Sequence, residues 1–353
     1  MIIYALVAIA PLLLSVFFPR MNEVDKRKRK YLIICGIILV LFLGLRSKYV
    51  GSTDSLNYFN LMKKAVANET WNGFYNPEGV ETGFQFFVFV LSRIFKAPQM
   101  LFVATSAFYV SAVLYCIYKN SDNVVLSTIM YITLGLMQFQ MQGMRQAMAM
   151  AVCMFAFEFV KKKKLIPFLL LAVLALQFHR TSFVIIAIYL VSLLSYNFWS
   201  LLLLAIGSGV VFAYTDQLMA FANEVFETDY AQTIDSGGFV ATAIYVLIIV
   251  FAMIFNRRVR YDKEDKTQST IMFVTILGMV SYIMRYFGAG ISERISFYFM
   301  FGQMLLLPNT LETLKIEYKK IITAGIYFMC FILFIYRLRG SDFLPYEFFW
   351  STL

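Results

Sequence analysis

Long apolar stretches recur along this chain, separated by short polar segments that are mostly basic. Runs long enough to cross a bilayer, or nearly so, cover residues 2–18, 31–45, 99–118, 124–140, 143–160 and 165–178. They continue through 182–196, 198–215, 239–255, 269–288, 292–311 and 321–338. Each predicts a membrane helix. Several fall short of the roughly 20 residues of a full crossing, and polar contacts inside the protein are expected to complete them. The run at 83–95 is ambiguous, and charge decides where it goes. If it crosses, the lysine block 161–164 lies outside; if it rests on the outer surface or dips in and returns, every strong basic block lies inside. The second arrangement puts 19 of the 31 Lys and Arg residues in inside loops. The predicted fold is an all-α polytopic membrane protein with about twelve transmembrane helices, both termini outside and a non-spanning segment near 83–97.

Composition supports that class. The chain has 353 residues and is 60% hydrophobic, more apolar surface than a soluble domain hides. Residues 1–353 are therefore expected to form a single membrane domain, with the 2–18 run, which has no basic segment before it and no cleavage site, kept as the first span. The net charge of +10 lies between apolar runs, so it reports orientation in the membrane and not nucleic-acid binding. Two outer loops are long enough to carry function: 46–98, and 216–238, which holds five acids, no Lys or Arg, and the Gly237-Gly238 pair. The four cysteines are scattered singly, there is one histidine, and no Walker loop or Asp-x-Asp pair occurs. No metal site and no cofactor are expected.

Arg46, Arg145, Arg180, Arg285 and Arg294 fall where apolar runs meet the expected outer side, the end that cations ordinarily avoid. Each alone reads as an interfacial anchor; as a set at one edge they read as a site. A guanidinium grips phosphate with two parallel bonds, and helix N-termini expected near Gly143 and Ser292 favour anions too. His179 stands beside Arg180, whose charge would favour a neutral imidazole able to accept a proton. Asp54 is the second candidate base, one turn before Tyr58 on a helix expected to start there, although a helix cap explains it equally well. Gln138, Gln140, Gln142 and Gln146 surround Arg145 and could line a sugar groove. Glu81 and Glu293 are further candidates for that groove, with pairing to an arginine as the plainer reading of both. Trp71, Phe74 and Tyr75 suit either sugar stacking or the headgroup belt.

These residues also form an ordered set of motifs. Arg46 leading to Gly51-Ser52-Thr53-Asp54 and Tyr58 resembles the amino-terminal signature of the EpsG family. Glu81-Thr82-Gly83-Phe84, Met144-Arg145-Gln146, Phe178-His179-Arg180-Thr181-Ser182, Ser292-Glu293-Arg294-Ile295 with Tyr298, and Leu344-Pro345-Tyr346 follow in the family's order. Residues 196–270 carry no matching motif. The EpsG family is similar to Wzy-type polysaccharide polymerases. The resemblance implies a bacterial cytoplasmic-membrane enzyme, similar in fold to lipid-linked (GT-C-like) glycosyltransferases, that joins undecaprenyl-pyrophosphate-linked oligosaccharides at the outer face. It implies His179 or Asp54 as base and Arg145, Arg180, Arg285, Arg294 and Arg46 on pyrophosphate. It also implies Gln142, Gln146, Tyr58, Glu81, Glu293 and Tyr298 near the sugars, and a chain-length regulator and a flippase of the same pathway as partners. A flippase for lipid-linked sugars and a membrane O-acyltransferase using His179 are the competing readings; the first would need charges near the bilayer midplane, where few occur.

Overall fold

A computed structural model describes all residues except 21–23, 218–219, 221–223, 225–237, 262–265, 288–290 and 353. In chain order the helices are α1 (Ile2–Ser15), α2 (Asp25–Gly44), α3 (Ser52–Ala67), α4 (Trp71–Phe74), α5 (Thr82–Ile94) and α6 (Met100–Asn120). There follow α7 (Val124–Thr133), α8 (Leu136–Gln142), α9 (Met144–Lys161), α10 (Leu165–Phe178), α11 (Ile186–Leu193) and α12 (Phe198–Ala213). The remainder are α13 (Phe239–Phe255), α14 (Arg257–Tyr261), α15 (Thr267–Ile283), α16 (Ser292–Phe297), α17 (Phe301–Glu312) and α18 (Ile316–Leu338). Short 3-10 turns occupy Arg180–Ile185, Met284–Phe287 and Phe349–Thr352. Among the described residues the one strand-like pairing is an isolated antiparallel bridge between Arg46 and Phe348. Most of the acidic loop at 216–238 lies outside the described residues.

Among the described residues, three segments are long and apolar enough to cross a membrane unaided: Met100–Asn120, Thr267–Tyr286 and Glu317–Leu338. The bent pair α7–α8 makes a fourth when counted as one span, and six more apolar helices are shorter. Large apolar side chains point outward along α2 (Ile33, Ile37, Leu41) and α10 (Ile166, Leu170, Val173). Water would not tolerate so continuous an apolar face, so lipid covers it. The chain is an integral membrane protein.

The chain folds as two compact units. Unit 1 comprises residues 1–155, 173–179 and 317–353; unit 2 comprises 156–172 and 180–316. In unit 1, α2 packs along α6, α1 rests on α2 and α7, and α3 lies on α5. The stretch expected as one span at 124–140 is broken, with a 44° bend between α7 and α8. The cause is local. Gly135 adopts φ +113°, a left-handed conformation that glycine takes without steric cost. Arg337, in the last turn of α18, donates to the Leu134 carbonyl that the break orphans. A Cβ on Gly135 would stand 2.4 Å from the Arg337 guanidinium, so a side chain there would displace Arg337 from this carbonyl.

At 13 residues α5 is about 20 Å long, too short for a core about 30 Å thick. Its inward face (Phe84, Val88, Leu91) joins Tyr58, Met62 and Ala65 of α3 in one apolar cluster. In unit 2, α13, α15 and α17 pack on one another, and α11 lies on α15. The expected span at 292–311 is interrupted here too, by a turn at 298–300 between α16 and α17.

Candidate functional site

The residues with most chemistry in unit 1 meet where the start of α5 approaches the end of α10. Three features set that approach. Gln85 folds the preceding loop back onto α5, donating to the carbonyls of Val80 (2.5 Å) and Asn76 (2.8 Å) and accepting from Asn76 N–H (3.0 Å). Phe84 tucks edge-on against Tyr58, ring centres 5.7 Å apart. Gly83 lies directly on Gln177: a Cβ there would come within 2.4 Å of the Gln177 Cβ and 2.7 Å of its carbonyl oxygen. Only a residue without a side chain permits this contact. Gly83→Ala must push the helix end away by a few tenths of an ångström or more, at a cost of about 1–3 kcal/mol. The expected result is a lower unfolding midpoint in detergent and loss of activity, whereas Gly325→Ala, with nothing within 4 Å of its new methyl, leaves both unchanged.

That approach carries Glu81 to His179. The Glu81 carboxylate spans two partners: Oε1 lies 2.8 Å from His179 Nδ1, and Oε2 accepts from Arg145 Nη1 in an ion pair. Arg145, in the first turn of α9, also donates from Nε to the Tyr58 hydroxyl at 3.3 Å. Glu81 and His179 side chains are each 8% exposed, while Arg145 keeps 28%. Burial alone would raise the Glu81 carboxyl. The bond from His179 and the field of Arg145 outweigh it and hold the group at about 2, against 4.5 for an ordinary glutamate. Glu81 is thus an anion at every physiological pH. An anionic carboxylate only accepts, so Nδ1 of His179 carries the hydrogen that it meets. This fixes the ring and directs proton chemistry to Nε2.

Glu81 makes the arginine pairing that was its plainer reading, with Arg145, and its other carboxylate oxygen meets His179. The environment of His179 was read from its neighbour Arg180, yet the contact on its Nδ1 is an anion from another segment of the chain.

Asp54 sits exposed in the first turn of α3, one helical turn before buried Tyr58, and its backbone N–H donates to Ser52 Oγ at 3.4 Å. Gln142 is half-buried at the end of α8, and Gln146 is buried beside Arg145 on α9. Gln138 and Gln140 are buried, and Gln140 Nε2 donates to Ser106 Oγ at 2.9 Å.

Arg46, expected among the anion-binding arginines, is fully buried in a structural position. Its guanidinium donates to the carbonyls of Leu43 (2.5 Å) and Met141 (3.1 Å) and lies 4.3 Å from the centre of the Phe102 ring. The Met141 carbonyl also accepts from Ser55 Oγ at 2.9 Å. These bonds satisfy the end of α8, just before the turn into Arg145. Tyr346 belongs to the same scaffold: it stacks on Phe42 at 4.6 Å and donates to the Phe42 carbonyl at 2.5 Å.

The other arginines belong to unit 2. Arg285 is buried, donates to the Tyr282 hydroxyl at 2.5 Å and pairs with Glu293 at 3.5 Å. Arg294 is exposed on α16, and Arg180 is half-buried at the start of its 3-10 turn. Tyr298 is buried, its hydroxyl 3.1 Å from Thr181 Oγ1.

Glu81, His179, Arg145 and Tyr58 come from four separated motifs, and in unit 1 they form one bonded cluster. The model of the EpsG family matches residues 29–348 and so takes in every one of those motifs. The chain belongs to the EpsG family. No curated protein and no solved structure matches it. The match also covers the scaffold of this EpsG chain, including Arg46, Gly83, Gly135 and Arg337.

Proposed function

We propose that this EpsG-family protein is a membrane polysaccharide polymerase. It joins oligosaccharide repeat units, carried on undecaprenyl pyrophosphate, at the outer face of the bacterial cytoplasmic membrane. The observation that carries the reading is the bridge of Glu81 between His179 and Arg145. One carboxylate orients a base and fixes a cation beside it. In the proposed step, His179 Nε2 takes the proton of the acceptor hydroxyl as that oxygen bonds to the donor's anomeric carbon. The bond from that carbon to the phosphate oxygen breaks, and its electron pair leaves on the lipid pyrophosphate. Arg145 stabilises that charge, and Glu81 stabilises the imidazolium. Glu81 is a poor base itself, because a carboxyl held near 2 has little proton affinity at neutral pH.

Arg180, Arg285 and Arg294 are the further candidates for the pyrophosphate groups. Asp54, Gln142, Gln146 and Tyr298 are candidates for sugar contacts. About twelve spans, both termini outside and a GT-C-like arrangement complete the proposal.

The test replaces Arg145 by Lys in a strain lacking the chromosomal copy. Lysine keeps the charge and can still meet Glu81, but it has no fork for a diphosphate. Long polymer is expected to fall about 10²-fold, with single repeat units accumulating on the lipid in the outer leaflet. Full polymer from the Lys variant would remove the two-bond grip from the mechanism. Units trapped in the inner leaflet would make the protein a flippase.

A further inference from the structure

Away from that cluster, unit 1 carries a groove of about 500 Å³ between α2 and α6. Its walls are almost wholly apolar, and Ile33, Ile37 and Leu41 stand exposed along one of them. Two small residues open it: Ser111, exposed on α6, and Gly36, where an added Cβ would lie 3.0 Å from Leu114. From Arg29 to Leu41 the groove follows α2 for about 18 Å, slightly more than one leaflet's half of a hydrocarbon core about 30 Å thick.

The end at Arg29 is basic on balance, with three cations against the carboxylates of Asp25 and Asp122. Three cations surround the ring of Tyr118: Lys28 and Arg29 at 5.4 Å and Lys119 at 5.3 Å. Arg29 is held in place through Nε alone, by the Tyr118 hydroxyl at 2.9 Å and Asp25 at 3.0 Å. Neither Nη group takes part in these two contacts, and the side chain is 63% exposed. A trough one leaflet long with a prepositioned cation cluster at its mouth matches one class of molecule.

We propose that this groove is a binding site for an anionic phospholipid. Its phosphate sits on Arg29, flanked by Lys28 and Lys119, and one acyl chain lies against Ile33, Ile37 and Leu41. Charge complementarity selects the headgroup, and groove length selects a lipid confined to one leaflet. The site shares no residue with the Glu81 cluster and does not depend on the polymerase reading.

Full-length protein purified in detergent tests this by equilibrium binding of fluorescent phosphatidylglycerol and of phosphatidylcholine with the same chains. The protein is expected to prefer phosphatidylglycerol, and Arg29→Gln to weaken that lipid about fivefold while leaving phosphatidylcholine unchanged. Ser111→Trp, which fills the trough without touching the core, is expected to abolish binding of both. Unfolding midpoints close to wild type establish that both variants fold; Ile37→Trp replaces Ser111→Trp if that one does not. Equal affinity for the two lipids, or an unchanged preference in Arg29→Gln, would overturn the proposal. So would displacement by millimolar inorganic phosphate alone, which would reduce the site to an exposed anion contact.

Discussion

Replacing His179 by alanine is expected to eliminate long polymer while the protein still accumulates in the membrane. A general base contributes roughly 10²–10⁴ in rate, and neither Glu81 nor Arg145 can take over. Glu81 is held too acidic to serve, and Arg145 has no proton affinity to offer at neutral pH. Lipid-linked single repeat units should build up in their place, measured by extraction and chromatography from a complemented deletion strain. His179→Gln sharpens the result, since its amide can still donate to Glu81 yet cannot accept a proton as a base. If that variant polymerised normally, the ring would be a structural donor and the base would lie elsewhere, with Asp54 next in line. The cost in stability should be small for His179→Gln and larger for His179→Ala, which leaves a buried carboxylate oxygen without its bond.

Glu81→Gln is expected to damage both folding and catalysis, and pH separates the two effects. The substitution leaves the Arg145 cation without its counter-charge in a largely buried setting, worth roughly 3 kcal/mol when one partner is removed. Because the folded-state carboxyl is depressed from 4.5 to about 2, its stabilisation is complete above its unfolded value and disappears as pH falls through about 2. The difference in unfolding midpoint between wild type and Glu81→Gln should therefore be constant above about pH 5 and shrink steadily below it. A difference that stayed level down to pH 2 would mean the carboxylate is not held by those partners. Catalysis should fall about 10²-fold at neutral pH, the scale of losing a carboxylate that orients a functional histidine. A double-mutant cycle with Arg145→Gln, which removes the bridge from the other side, should be strongly non-additive, since both residues act through one bridge.

Much of the helical layout was legible from hydropathy alone, because an apolar run bounded by charges leaves the backbone few options beside a helix. What hydropathy could not show is where a run breaks. The stretch 124–140 looks continuous, and its only warning is Gly135; the partner that makes the break stable is Arg337, about two hundred positions later. The chemistry behaves similarly. His179, Arg145 and Glu81 were each singled out, but their grouping was invisible, since it depends on Gly83 meeting Gln177. The chain neighbour of His179 is Arg180, and local order gave no sign that its Nδ1 would also meet Glu81, nearly a hundred residues away. Arg46 is legible only in part. An arginine at the end of an apolar run looks like a ligand, and nothing local reveals that two orphaned carbonyls will claim it.

The Arg337 bond also has a consequence for biogenesis. Unit 1 begins at the first residue and is not finished until the last helix arrives. While the ribosome is still working through the middle of the sequence, the Leu134 carbonyl and the Tyr4 hydroxyl wait for Arg337 and the Phe343 carbonyl. A stop codon at position 337 would take away Arg337 and Phe343 together, and with them the two bonds that tie the late residues of unit 1 to its early ones.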